Sequence, residues 1–194
     1  MISDFNFAGQ LEEMDNIAAD RWQKIRAVVL DIDGILTDGR IGYGTGSPEE
    51  IKFFHVRDGH GIKLAMRAGL LVGVLSGRKS AANNRRAEEL GLSFVYEGKK
   101  NKLEAFEELL AEQKLQADEV LYMGDDTIDL PVMRVAGIAA TVADAPCYMD
   151  TAADIRTQHN GGQGAVREVI DRLLMESGKW RDVMARYGLE DYKF

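Results

Sequence analysis

Asp31 and Asp33 stand two residues apart at the end of an apolar run, Ala27-Val28-Val29-Leu30, with Ile32 between them and Gly34 directly after. Side chains alternate in extended backbone, so both carboxylates can project to one side while Ile32 turns into the core. Like charges held this close repel each other, and the arrangement persists where a cation neutralises them or a proton is shared. The chemistry implied is that of a divalent metal or of a general acid and base. Gly34 lets the chain turn sharply after the acids.

A second acidic group, Gly124-Asp125-Asp126-Thr127-Ile128-Asp129, follows the apolar run Val120-Leu121-Tyr122-Met123. Asp125 supplies another hard oxygen of the kind magnesium favours, with Asp126 and Asp129 as orienting groups behind it. The same stretch also fits a turn in which Asp126 or Thr127 caps the next helix. Lys102 falls near the first turn of a predicted helix, where the macrodipole disfavours a cation unless an anion lies close. Lys99 and Lys100 are equally basic, and position alone does not choose among the three. Asn101 with Glu104 resembles a capping pair that starts the same helix. Ser76 can donate to a phosphate oxygen together with the backbone N–H of Gly77, or serve only as a small turn residue.

The elements that must position these groups alternate along the chain. Apolar runs predict strands at 27–30, 70–75, 93–96, 120–123 and 138–142. Helical spacing predicts a helix opened by Asp58-Gly59 and ending near Gly69, then helices at about 79–90, 102–114, 128–135 and 165–175, with a short one at 146–152. Pro131 is tolerated in the first turn of its helix. Strands separated by helices of this length imply right-handed crossovers and a parallel sheet, so the fold class is α/β, a doubly wound Rossmann-like sheet flanked by helices. In such sheets the crevice lies at the carboxyl ends of the strands, where Asp31 with Asp33, Ser76 with Gly77, and Gly124 with Asp125 all fall. The glycine-rich stretch from Ile41 to Ser47 and the alternating Glu50-Ile51-Lys52-Phe53 read as a β-hairpin over about 40–54, inserted after the first strand. Such a hairpin needs a surface on which to pack. Residues 1–24 read as a helical extension, with Leu11, Met14, Ala18 and Trp22 on one face, 25–178 as the core domain and 179–194 as a tail.

Length and charge narrow the function. The chain has 194 residues, enough for one well-buried domain. Its net charge of −8 argues against a broad nucleic-acid-binding face, so an anionic substrate needs a local positive site. A single cysteine, Cys147, forms no intrachain disulfide and fits a reducing compartment. With no membrane-length apolar stretch, the expectation is a cytoplasmic protein bound to neither membrane nor nucleic acid.

In these motifs the chain resembles the haloacid dehalogenase superfamily phosphatases. Asp31-Ile32-Asp33-Gly34, Ser76, Lys102 and the stretch from Gly124 to Asp129 match the superfamily's four motifs in order. Leu36-Thr37-Asp38-Gly39, Arg57-Asp58-Gly59-His60-Gly61-Ile62-Lys63, Gly77-Arg78-Lys79-Ser80 and the segment from His159 to Glu168 are most similar to the uncapped phosphatases of 3-deoxy-D-manno-octulosonate 8-phosphate, a lipopolysaccharide precursor. The resemblance implies Asp31 as nucleophile and Asp33 as acid and base. It implies magnesium held by Asp31, Asp125 and the backbone carbonyl of Asp33, and a phosphoryl group held by Ser76 and Lys102. It also implies no cap domain, a homotetramer built through the hairpin, and a substrate carboxylate met by Arg78 and Arg57. Glycines 161, 162 and 164 resemble a C-terminal segment that can reach toward a neighbouring site. The rival readings are a phosphatase for a nine-carbon sialic-type sugar 9-phosphate, a phosphoreceiver signalling domain and a non-catalytic oligomeric scaffold.

Overall fold

Val28 and Leu30 of strand β1 (Ala27–Leu30) join one hydrophobic core, while Ala27 and Val29 join another on the opposite side of the sheet. All four residues are buried, which is why this strand lacks the polar alternation of a one-sided sheet. The structure, a computed structural model, describes residues 17–44 and 50–189. In it β1 pairs in parallel with β4 (Leu71–Leu75) on one side and β6 (Val120–Met123) on the other. Beyond β4 lies β5 (Phe94–Tyr96), and beyond β6 lie β7 (Ile138–Thr141) and β8 (Ile155–Arg156). The order β5-β4-β1-β6-β7-β8 runs outward in both directions from β1, which makes the end of β1 the switch point where such sheets bind ligands. Leu30 stands level with Val74 and with Met123. Asp31, Ser76 and Gly124-Asp125 therefore leave the sheet within two residues of one height.

Helices cover both faces. The first core packs α1 (Ala19–Lys24), α2 (Val56–Arg67), α6 (Ala165–Glu176) and α7 (Trp180–Met184) on the sheet. On α6 the buried positions Val166, Val169, Ile170, Leu173 and Leu174 repeat at helical spacing and form one apolar stripe. The second core uses α4 (Lys102–Gln113) and α5 (Leu130–Met133). Between β4 and β5 runs α3 (Ala81–Leu90), which ends at Gly91 in the left-handed conformation that favours glycine. The hairpin pairs β2 (Gly42–Tyr43) with β3 (Glu50–Ile51) in antiparallel sense.

Several boundaries differ from the sequence expectation. The helix expected over 128–135 contracts to α5, with Pro131 in its first turn. Strand β8 has two residues, too few for any periodicity to register. The segment expected as a tail contains α7, whose Trp180, Val183 and Met184 are buried in the first core. Of the expected N-terminal helix, α1 is seen and buries Trp22, while Leu11 and Met14 lie outside the described residues. Asp58 was expected to cap α2. Its carboxylate instead accepts the backbone N–H groups of Gly164 (3.2 Å) and Arg167 (2.8 Å), and so caps the first turn of α6. Helix α2 starts at His55 without a side-chain cap.

Candidate active site

Asp31 is buried at the end of β1, and its backbone N–H continues the ladder to the Met123 carbonyl at 3.0 Å. Its carboxylate meets the Lys102 ammonium at 2.9 Å, and Lys102 also reaches Asp129 at 2.6 Å. Lys102 has a side chain with no solvent exposure, although Lys99 pairs with Glu108 on the surface and Lys100 is exposed. The geometry therefore separates the three lysines. Asn101 accepts the Glu104 backbone N–H at 3.3 Å, as the capping pair required, and this fixes where α4 begins.

Carboxylate oxygens of Asp31, Asp125 and Asp129 lie within 4.8 Å of one another. Asp129 is already satisfied: it accepts from Lys102, from the Tyr122 hydroxyl and from the backbone N–H groups of Asp125 and Asp126 (both 3.2 Å). It fixes the loop and the lysine, as an orienting group does. Asp31 and Asp125 are left as the pair with free oxygens. Two glycines make this crowding possible. A methyl group on Gly34, which has a positive φ of 92°, would overlap the Asp125 carboxylate, and one on Gly124 would overlap Asp129. Asp126 has a different place. It is exposed, accepts from the Tyr148 hydroxyl (2.9 Å) and the Thr127 N–H (2.7 Å), and caps no helix.

Burial, against the pull of Lys102 and with the push of Asp129, raises the Asp31 pKa to about 6. For Asp125 burial and then the charges of Asp31 and Asp129 raise it to about 8. Lys102 is opposed by burial, but the two acids outweigh that and hold its pKa above the ordinary lysine value. Two oxygen donors that resist ionisation without a cation, with a third acid locked behind them, fit a magnesium ion.

Between pH 4 and about 8 the native state binds more protons at Asp31 and Asp125 than the unfolded chain does, so stability of the metal-free protein falls as pH rises through that window. Each group contributes a slope of up to ~1.4 kcal/mol per pH unit. Melting temperatures measured with a chelator should show the decline, Asp125→Asn should flatten it, and magnesium should stabilise most near pH 8. Equal stabilisation by magnesium at pH 5 and pH 8 would contradict this picture.

Asp33 faces the hairpin rather than the acidic cluster. Its Oδ1 accepts from Lys52 at 2.6 Å, and its Oδ2 lies 3.7 Å from Arg78 Nε. Arg78 also pairs with Glu50, and that contact holds the Glu50 carboxyl below its usual range. Lys52 escaped the sequence reading. Its only signal was alternation: with Ile51 and Phe53 on one face of the hairpin strand, Glu50 and Lys52 must share the other. Ser76 is buried, and its hydroxyl accepts the Arg78 backbone N–H at 3.2 Å, a turn role that leaves its own proton to give. Gly77 follows it at the same strand end.

Arg57 is not brought to this cluster. It is exposed and lines a cavity of about 490 Å³ with His55, His159, Gln163 and Arg167, a cavity to which Asp31, Asp33, Asp125 and Asp129 do not contribute. Glycines 161 and 162 pack on the chain's own acidic loop, whereas Gly164 lies against His159 and His55. Gly162 donates to the Ile35 carbonyl at 2.9 Å, and side chains at 161 or 162 would strike the backbone of Gly34 or Thr37. They buttress the turn that carries Asp33.

Residues 90–170 match the model of the haloacid dehalogenase-like hydrolases. The 3-deoxy-D-manno-octulosonate 8-phosphate phosphatase of Escherichia coli K12 is 44% identical over 157 residues, 81% of this chain and 83% of that protein. A Moraxella catarrhalis phosphatase of the same name, solved with a magnesium ion, a phosphate ion and a KDO molecule, is 33% identical with a TM-score of 0.83, covering 87% of this chain and 97% of the other. A cobalt-bound Haemophilus influenzae relative is 41% identical with a TM-score of 0.79 over 83% of this chain and 94% of its own.

Proposed function

The chain belongs to the 3-deoxy-D-manno-octulosonate 8-phosphate phosphatases within the haloacid dehalogenase-like hydrolases, and from that membership we propose that it hydrolyses this sugar-acid phosphate to the free sugar and phosphate. The observation that carries the proposal is the convergence of the buried Lys102 and Asp31 with the half-buried Asp125 at the switch point of the sheet. A nucleophile, a fixed cation and a metal site there meet what a phosphate monoester demands.

In the proposed reaction an oxygen of Asp31 attacks phosphorus and the ester oxygen leaves, giving an aspartyl phosphate. Asp33 gives its proton to the leaving sugar oxygen, then removes one from the water that attacks the same phosphorus and releases phosphate. Lys102 and the Ser76 hydroxyl, with the N–H of Gly77, bind the phosphoryl oxygens and keep the group in line. Magnesium, held by Asp31, Asp125 and the backbone carbonyl of Asp33, supplies neutralisation of charge on the phosphoryl group. Asp129 holds Lys102 in place, and Arg78 meets the sugar carboxylate by exchanging it for Glu50. The acid two residues after the nucleophile favours turnover over the long-lived phosphoprotein of a receiver domain.

The test is phosphate release with magnesium from octulosonate 8-phosphate and from nine-carbon sialic-type 9-phosphates, compared by kcat/KM. Preference for the eight-carbon substrate supports the proposal, and preference for the nine-carbon sugar overturns it. Such a product feeds a lipopolysaccharide precursor route in the cytoplasm, which makes that the proposed setting.

A homotetramer belongs to the same proposal. Ile51 and Phe53 are 47% and 74% exposed on the outer side of the hairpin, an apolar surface left largely open among the described residues. Ile51→Lys with Phe53→Glu should lower the particle mass measured by light scattering. An unchanged mass would sink the assembly.

A further inference from the structure

We propose that Lys52 is the positioning residue for Asp33, pinning one carboxylate oxygen so that the other alone exchanges the proton with the sugar oxygen and with water. The inference rests on the function proposed above and concerns a residue outside the four motifs. Lys52 belongs to the hairpin segment, yet its side chain has no solvent exposure. An enclosed ammonium is costly unless opposite charge surrounds it. Its Nζ lies 2.6 Å from Asp33 Oδ1 and 3.8 Å from Glu50 Oε2. Arg78 closes a ring by pairing with Glu50 and standing 3.7 Å from Asp33 Oδ2.

The two oxygens of Asp33 are thereby made unequal. Oδ1 has a short charged hydrogen bond, whereas Oδ2 is buried and accepts none. A buried acceptor without a donor is expensive, and such an atom in a native protein calls for a ligand or water to complete it. The hydrogen bond to Oδ1 also fixes the side-chain torsions, which on the backbone turn at Gly34 would otherwise let the carboxyl swing. The same lysine ties the acid to the hairpin, since Glu50 and Lys52 occupy its inner face while Ile51 and Phe53 occupy its outer one. Catalysis is thus geometrically dependent on where the hairpin sits.

The experiment measures single turnovers of wild type and Lys52→Met, with magnesium, on octulosonate 8-phosphate and on an aryl phosphate. An aryl oxide leaves without a proton, so its first step does not need the acid oriented. K52M should slow aspartyl-phosphate formation from the sugar phosphate on the order of 10²-fold. Formation from the aryl phosphate should change by less than about threefold, as should the sugar phosphate KM, because the groups that bind phosphate are untouched. Equal slowing of both substrates would reveal a structural role only, and no slowing of either would remove the role altogether. Either result overturns the inference. Should K52M fail to melt cooperatively, Lys52→Arg keeps the charge, displaces the donor and must show the same leaving-group discrimination in weaker form. Failure of the proposed function itself is distinguishable, because wild type would then release no phosphate from the sugar ester.

Discussion

Asp31→Asn is expected to lower phosphate release from the sugar phosphate by a factor on the order of 10⁴–10⁶, the range seen when a covalent nucleophile is removed. The amide has nearly the shape of the carboxylate but cannot attack phosphorus and offers a cation only a neutral oxygen. Because burial already raises the Asp31 pKa to about 6, a neutral replacement suits the site. Lys102 also keeps Asp129 as its partner at 2.6 Å. The variant should therefore melt close to wild type, and the loss will be chemical. Residual turnover above ~1% of wild type, with folding intact, would move the nucleophile elsewhere.

Lys102→Met should be costly in both stability and rate. The lysine is enclosed between Asp31 and Asp129, both of them buried. Taking it away leaves buried acids without their counter-charge, which typically costs ~3–5 kcal/mol. The sign with pH is fixed by Asp31: without the lysine its native pKa rises further, so the native state holds an extra proton and the variant is weakest at high pH. Urea unfolding at pH 5.5 and pH 8 should show a larger deficit at pH 8. Turnover should fall a further ~10²–10³-fold relative to any effect of partial unfolding, since a fixed cation at the developing charge is lost. A variant equally stable at both pH values would show that Lys102 does not compensate these acids.

Much of this site was legible in the sequence because its parts are local. A run of four apolar residues buried on both faces predicts β1, and the acids at its end inherit that strand's rigidity. Asn101 with Glu104 marks the start of α4 and therefore the height of Lys102. What sequence could not resolve depended on distance in space. Lys99, Lys100 and Lys102 are alike until α4 is docked and one of them is enclosed. Asp58 reads as a cap for its own helix, yet it serves α6 more than a hundred residues later. Lys52 reads as the polar side of an ordinary hairpin until that hairpin folds over Asp33. The expected pairing of Asp31 with Asp33 changed for a similar reason. The backbone turns after Ile32, so the acid that joins Asp31 is Asp125, and Asp33 is left with separate partners. Helix α7 lacked a signal long enough to read, because five residues do not complete two turns.

In the proposed reaction Asp31 takes the phosphoryl group before water does. The most direct measurement is the stereochemical course at phosphorus, using a sugar phosphate made chiral with oxygen isotopes and hydrolysed in isotopically labelled water. Two in-line displacements, first by Asp31 and then by water, predict net retention of configuration. Net inversion would mean that water attacks the ester directly, and it would contradict the covalent role assigned to Asp31.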